Sequence, residues 1–293
     1  MQFALNVPRW PNAGHWLAGL GVAAVVLVAM VPATPRADVG SVVLAPHRAV
    51  YDLSLHRTGS GSSVTDVAGR MVYELVGSSC AGFTQTMRFV MQSSSNEGQD
   101  NLIDMRSTSS EDAAGRTFKF ATSQYRNQKR AEGTEGEATR GDPIRLELTR
   151  PEKKSTTIGA SAYFPIQHSI ELIRRARAGD KIFEADLYDG GDKGEKVYAT
   201  VSLIGPKREG ANKTLTKIDG TTPLDSLPAW PVTMSYYELA SAKQDATPSY
   251  EMSYLFFDNG VSRRIIIDYG EFAVRATLSK IEFLEPAKCA PAK

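Results

Sequence analysis

The chain has 293 residues, with 34 Lys and Arg against 33 Asp and Glu, for a formal net charge of +1. That balance lacks the strongly basic field of a nucleic-acid-binding domain, so no nucleic-acid partner is expected. The length suffices for one large core or two smaller ones, without dependence on many disulfides.

Arg9 and the terminal amine precede an apolar run from Trp16 to Val31, and Pro35-Arg36-Ala37 stands before Asp38. A weakly positive start, an apolar stretch and a small-residue exit form the pattern of a secretory signal peptide. The run is about 16 residues, short of the roughly 20 that cross a bilayer. Residues 1–37 are therefore expected to be cleaved. No cysteine follows the run to take a lipid, so no membrane anchor is expected after cleavage. Residues 38–293 are expected to form a single domain.

Most of that domain alternates apolar and polar residues with period two, as half-buried strands do. The runs are Ala49–Leu55, Gly69–Val76, Phe83–Met91, Leu102–Ser107, Thr117–Gln124, Ile144–Thr149 and Val197–Ile204. The polar, acidic stretch 131–137 reads as a loop. Asp189–Gly194 reads as a sharp turn between strands. The Pro-containing stretch Thr222–Pro231 reads as a connector crossing between two halves of a sheet. Near the C-terminus, Tyr250–Phe257 and Val261–Ile267 flank Asp258-Asn259-Gly260, a strong short hairpin signal. Asp268–Glu271 turns again into Phe272–Phe283.

One segment departs from period two. Residues 165–178 read as a helix, with Pro165 in the first turn and Gly179 just beyond the last. Ile166, Ile170, Ile173 and Arg177 share a stripe beside Leu172 and Ala176, and Arg174, Arg175 and Arg177 complement the helix dipole. A lone amphipathic helix among antiparallel strands predicts a mainly β fold: a curved sheet or open barrel with the helix plugging its mouth.

The chain has two cysteines, Cys80 and Cys289. In an exported protein two distant thiols most simply form one disulfide. Such a bond would tie the chain's end to an early strand.

Motifs for chemistry are sparse. His47, His56 and His168 show no helical i, i+4 pair and no cysteine nearby, so no metal site is expected. Asp186, Asp189 and Asp192 are spaced by three, which misses the alternate-residue oxygen loop of a calcium site. Gly159-Ala160-Ser161-Ala162-Tyr163 lacks the closing glycine of a nucleophile elbow. No catalytic residue and no cofactor is expected. Aromatic residues including Phe118, Phe120, Tyr236, Tyr237, Tyr254, Phe256 and Phe257 suit either a concave apolar face or ordinary core packing. Tyr163, Phe164, Ile170, Ile173 and Trp230 are the residues expected to face a ligand there.

Several segments carry a family resemblance. They are Ala49–Leu55, Gly69–Glu74 through Cys80 to Gly82-Phe83-Thr84-Gln85, Arg106–Glu111, Phe164–His168, Leu187–Gly190, Trp230-Pro231-Val232, Asn259–Arg263 and Asp268-Tyr269-Gly270. In this order they resemble the EipB-like cell-envelope integrity proteins of alphaproteobacteria, long described as a domain of unknown function. The resemblance implies a periplasmic, strongly twisted antiparallel β-spiral or broken barrel, similar in shape to lipoprotein carriers. It also implies pairing of Cys80 with Cys289, and carries over no catalytic residues. The expected function is non-enzymatic support of the envelope under stress, by binding a lipid tail or an extended protein segment on a concave face. A periplasmic lipid or lipoprotein carrier is the alternative; an envelope hydrolase lacks the required groups. The expected partner is an envelope protein or lipid.

Overall fold

The computed structural model describes residues 40–98, 100–238 and 247–289. The expected signal segment, residues 1–37, lies outside them. The described chain forms fourteen strands in a single antiparallel sheet. They are β1 (His47–Thr58), β2 (Val64–Ser78), β3 (Gly82–Ser95), β4 (Asp100–Glu111), β5 (Thr117–Arg126), β6 (Lys129–Thr139), β7 (Ile144–Arg150) and β8 (Lys154–Ile158), followed after the helix by β9 (Ile182–Leu187), β10 (Tyr198–Ile204), β11 (Ala229–Glu238), β12 (Tyr250–Phe257), β13 (Ser262–Asp268) and β14 (Phe272–Phe283).

The strand order is β8-β7-β6-β5-β4-β3-β2-β1-β14-β13-β12-β11-β10-β9. Two meanders therefore run outward from a central seam where β1 pairs with β14, His47 opposite Phe283. The sheet edges, β8 and β9, are consecutive strands separated by the helix. The spiral does not close by a strand ladder, so the fold is the expected broken barrel.

Two sequence expectations are corrected. Residues 131–137 are not a loop but the body of β6, paired with β5 and β7. This strand buries only Thr134 and Ala138, so its pattern is too weak to read as a strand. Its Gly136 lies where an added Cβ would meet Phe120 Cζ at 2.9 Å and Glu147 O at 2.7 Å. The stretch Thr222–Pro231 does not cross between sheet halves; it is part of a long excursion joining the adjacent strands β10 and β11. The helix follows β8 in sequence and packs against β9.

That helix, α1 (Pro165–Ala178), has the expected bounds, with Pro165 in its first turn and Gly179 left-handed at φ 84°. The Gly179 N–H donates to Ala176 O and the Asp180 N–H to Arg175 O, closing its C-terminus. Ile166, Leu172, Ile173 and Ala176 join the main core with residues from β1–β4 and β9–β14. Arg177 leaves the apolar stripe to hold Asp258, at 2.7 and 2.8 Å.

The gap between the edges is filled by side chains and a short stretch of backbone. Tyr163 runs parallel to Leu187; its N–H donates to Asp186 O at 2.8 Å, and its carbonyl accepts the Tyr188 N–H at 2.9 Å. Phe118, Phe120, Ile144, Leu146, Leu148, Phe164 and Tyr188 form a second core. This core joins β5–β7 to the turn after β9. Tyr188 Oη donates to Gly194 O at 2.7 Å, fixing that turn. Gly190 sits against the Phe120 ring, where any Cβ would overlap it at 2.3 Å.

The chain's end folds back on its beginning. The Leu284 N–H donates to Pro46 O and the Ala287 N–H to Gly77 O. Cys80 and Cys289 are joined in a disulfide, Cα–Cα 5.5 Å, across 209 residues of sequence. The bond lies on the exposed turn between β2 and β3, next to the seam.

Candidate ligand chamber

Strand register lines up inward-facing residues into rows across the sheet, because alternate side chains share a face. One row runs Tyr51, Met71, Phe89, Met105, Gln124, Glu132 from β1 to β6. The next runs Ala49, Tyr73, Met87, Ser107, Thr122, Thr134. Both pass from aromatic and thioether groups near the seam to hydroxyl, amide and carboxylate groups toward β6. The concave face is therefore graded in polarity across the strands.

All of these residues except Ala49 and Phe89 line a cavity of about 300 Å³. Its opposite wall comes from Tyr236, Met252, Tyr254, Phe256 and Ile265, and its far end from Pro165, Ser169, Asp189 and Asp192. Methionines contributed by β2, β3, β4 and β12 give the apolar side a wall of flexible, polarizable groups. A second cavity of about 270 Å³ lies beyond Met91 and Ile103, walled by Ser63, Ser93, Ser94, Ser95 and Phe272. Gln124 lines both.

The polar groups of the chamber are largely engaged. Tyr51 Oη donates to Ser262 O at 2.8 Å, and Tyr73 Oη to Gln85 Oε1 at 3.1 Å. Burial holds the Tyr51, Tyr73 and Tyr236 phenols neutral by raising their pKa values. His47 Nδ1 lies 2.7 Å from Ala45 O and donates to it, and burial lowers the pKa of the ring. Burial likewise raises the Asp189 carboxyl. Among the described residues no group of three or more His, Cys, Asp and Glu side chains is placed to hold a metal ion.

At the end of the inward row of β4 stands Glu111, 3% exposed. Its carboxylate accepts the N–H of Ile166 at 2.5 Å and of Gln167 at 3.2 Å. It thus caps α1, whose own N-cap residue, Phe164, has no side-chain acceptor to offer. Burial outweighs those bonds and pushes the Glu111 pKa up to about 7. On α1, buried His168 is pushed down to about 4, chiefly by burial. Thr200 Oγ1 gives its proton to Ala185 O at 2.8 Å, so it accepts from His168 Nε2 at 3.3 Å.

The residues expected to face a ligand are placed elsewhere. Phe164 belongs to the second core, and Ile173 and Trp230 to the main core. Tyr163 and Ile170 pack against the main core, with Tyr163 edge-on to His168 and Phe183. None of the five lines either cavity. Their apolar character is used to seat α1 and close the sheet edge. Of the wider aromatic set, Tyr236, Tyr254 and Phe256 do line the chamber. The methionines and the polar row were missed; alternation within β3–β6 places them on the inward face, but only register across strands brings them together.

A family model described as EipB-like matches residues 39–285 of this chain. The chain belongs to the EipB-like family. A curated relative, the cell envelope integrity protein EipB of Brucella abortus (strain 2308), is 33% identical over 249 residues, spanning 85% of this chain and 87% of its own length. The crystal structure of a β-barrel-like protein of a domain of unknown function from Brucella abortus is similar with a TM-score of 0.75 and 30% identity. That match covers 84% of this chain and 100% of the solved one. The EipB-like spiral of this chain thus has an experimentally solved counterpart. No helix among its described residues is long and apolar enough to cross a membrane.

Proposed function

We propose that this protein is an exported, non-enzymatic component of the bacterial envelope. It binds the apolar tail of a lipid, or an extended protein segment, in its concave chamber, and thereby supports envelope integrity, the role in the name of its Brucella abortus relative. The observation that carries this reading is the pair of graded rows, Tyr51 to Glu132 and Ala49 to Thr134, whose residues other than Phe89 and Ala49 line a cavity of about 300 Å³. A cavity with a large apolar wall and a few directed polar groups is the usual form of a small-molecule site. The two cysteines sit in the disulfide and so offer no free thiol nucleophile.

Native mass spectrometry of protein purified from its own envelope fraction tests this. Adducts of lipid or peptide mass are expected, and Ser107→Trp, which fills the chamber, is expected to remove them. A wild-type protein that stays free of adduct when incubated with lysolipid and with extended peptides would count against it.

A carrier of lipid or lipoprotein is the second reading. It is favoured by the interval between β8 and β9, which the second core and the Tyr163–Leu187 backbone bridge fill in place of a strand ladder. A ligand passing there displaces packed side chains and that one bridge, but no strand ladder.

A further inference from the structure

The second cavity has walls and a rim of its own. Register sets Ser93 of β3 opposite Asn101 of β4, and Met91 opposite Ile103, with both pairs on the inward face because alternate residues of a strand share a side. Gln124 of β5 and Phe272 of β14 complete the lining. Three turns form the rim: Ser63 comes from the turn before β2, Glu97 from the turn between β3 and β4, and Glu271 from the turn between β13 and β14. Backbone hydrogen bonds lock these turns to one another. The Asn96 N–H donates to Ser63 O at 2.9 Å, and the Gly59 N–H to Glu271 O at 2.7 Å. The rim is therefore set before a ligand arrives, which lowers the ordering cost of binding.

Polarity rises from the floor of this cavity to its rim. Met91, Ile103 and Phe272 are buried, Ser93, Asn101 and Gln124 half-buried, and Glu97 and Glu271 exposed. Tyr269, its ring 5.2 Å from that of Phe272 and tilted by 35°, extends the aromatic surface. A wholly apolar guest would desolvate the amides and the hydroxyl without answering them. A sugar ring answers both parts. Its C–H face matches the apolar floor, and each of its hydroxyls donates and accepts, as do the Asn101 and Gln124 amides and the Ser93 hydroxyl. The volume, about 270 Å³, is near the lower end for small-molecule pockets and suits a mono- or disaccharide. We propose that this cavity is a saccharide-binding site, in which Ser93, Asn101 and Gln124 take ring hydroxyls above a floor of Met91, Ile103 and Phe272. The site goes beyond the lipid- or peptide-binding reading of the main chamber and does not rest on it.

Methionine-methyl NMR of the intact, disulfide-bonded protein tests this, because Met91 lines this cavity whereas Met71, Met87 and Met252 line the chamber. Glucose, N-acetylglucosamine and diacetylchitobiose are each titrated beside cyclohexanol, which keeps a six-membered ring but carries a single hydroxyl. At least one sugar is expected to shift the Met91 methyl saturably, to leave the three chamber methyls in place, and to bind more tightly than cyclohexanol. Asn101→Ala is expected to weaken that binding roughly fivefold, with unmoved chamber methyls as the check that the fold is kept. Ser93→Ala, on the neighbouring strand, repeats the test with a smaller change of side chain. Absence of a saturable Met91 shift with all three sugars would overturn the proposal. So would cyclohexanol binding as tightly as the sugars, sugar shifts confined to the chamber methyls, or wild-type affinity in both variants. Each of these results leaves the binding of lipid or peptide in the chamber to its own test.

Discussion

Glu111 and Ile166 lie 55 residues apart in sequence, yet the carboxylate of one accepts the backbone N–H of the other at 2.5 Å. The contact ties the polar end of β4 to the first turn of α1, and so ties the chamber wall to the helix that leads into β9.

Removing that carboxylate strands two N–H groups, one of them buried. Glu111→Ala is expected to lower stability by about 1–3 kcal/mol. Glu111→Gln keeps an acceptor oxygen and is expected to cost less. Urea unfolding monitored by circular dichroism measures both; equal midpoints for wild type and Glu111→Ala would refute the capping role.

The same group sets a pH slope. The folded pKa of Glu111 is about 7, above its ordinary value of 4.5. The folded state therefore binds more protons between those values, and this contribution to stability, full below pH ~4.5, fades as pH rises through ~7. Its size is on the order of 3 kcal/mol. Glu111→Gln should flatten that decline, seen as a smaller loss of melting temperature between pH 5 and pH 8.

His168 acts with the opposite sign. Its folded pKa of about 4 lies below the ordinary value of 6.5. The unfolded chain takes the proton first, so the stability it supports above pH ~6.5 is lost as pH falls toward ~4. His168→Phe, which keeps ring packing against Phe183 and loses the bond to Thr200, should remove part of the acid sensitivity. An unchanged unfolding profile from pH 7 to pH 4 would refute this.

Cys80→Ser or Cys289→Ser opens a ring of 209 residues. A loss of about 2–5 kcal/mol is expected, since the crosslink restricts the unfolded chain. Reductant should lower the wild-type melting temperature toward that of the variants and leave theirs in place.

Arg263 is 4% exposed and donates to Asn212 Oδ1 and Thr216 O, fastening the excursion between β10 and β11 to β13. Asn212→Leu removes that acceptor and leaves a buried guanidinium short of one partner. A loss of roughly 1.5–3 kcal/mol is expected. Accelerated proteolysis near Thr216 would report release of the excursion.

The strands were legible in sequence wherever their inward residues are apolar. In β1–β3, Ala49, Tyr51, Leu53, Met71, Leu75 and Phe89 alternate with polar neighbours and are buried. The strand β6 was hidden because its inward positions are Glu132, Thr134, Gly136 and Ala138, which give no period-two hydrophobic signal. The helix was legible from Pro165 and Gly179. The cap on it was not, because Glu111 contributes from another strand. The chamber was hidden for the same reason. Met71, Met87, Met105 and Met252 meet only once the register is set, whereas the clustered aromatics that drew attention, Phe164 and Trp230, are conspicuous because they are core.

The central seam has a consequence for how the chain is made. Among the fourteen strands every ladder but one joins neighbours in sequence; the exception pairs the first strand with the last. A chain emerging N-terminus first must present β1 as a bare edge until β14 arrives, a hazard for mispairing. Because Pro46 and Leu284 are hydrogen-bonded to each other, a circular permutant with joined ends and new termini between β8 and β9 would make all thirteen ladders local. Such a permutant should refold faster than the natural order, since ring closure would no longer precede the final pairing.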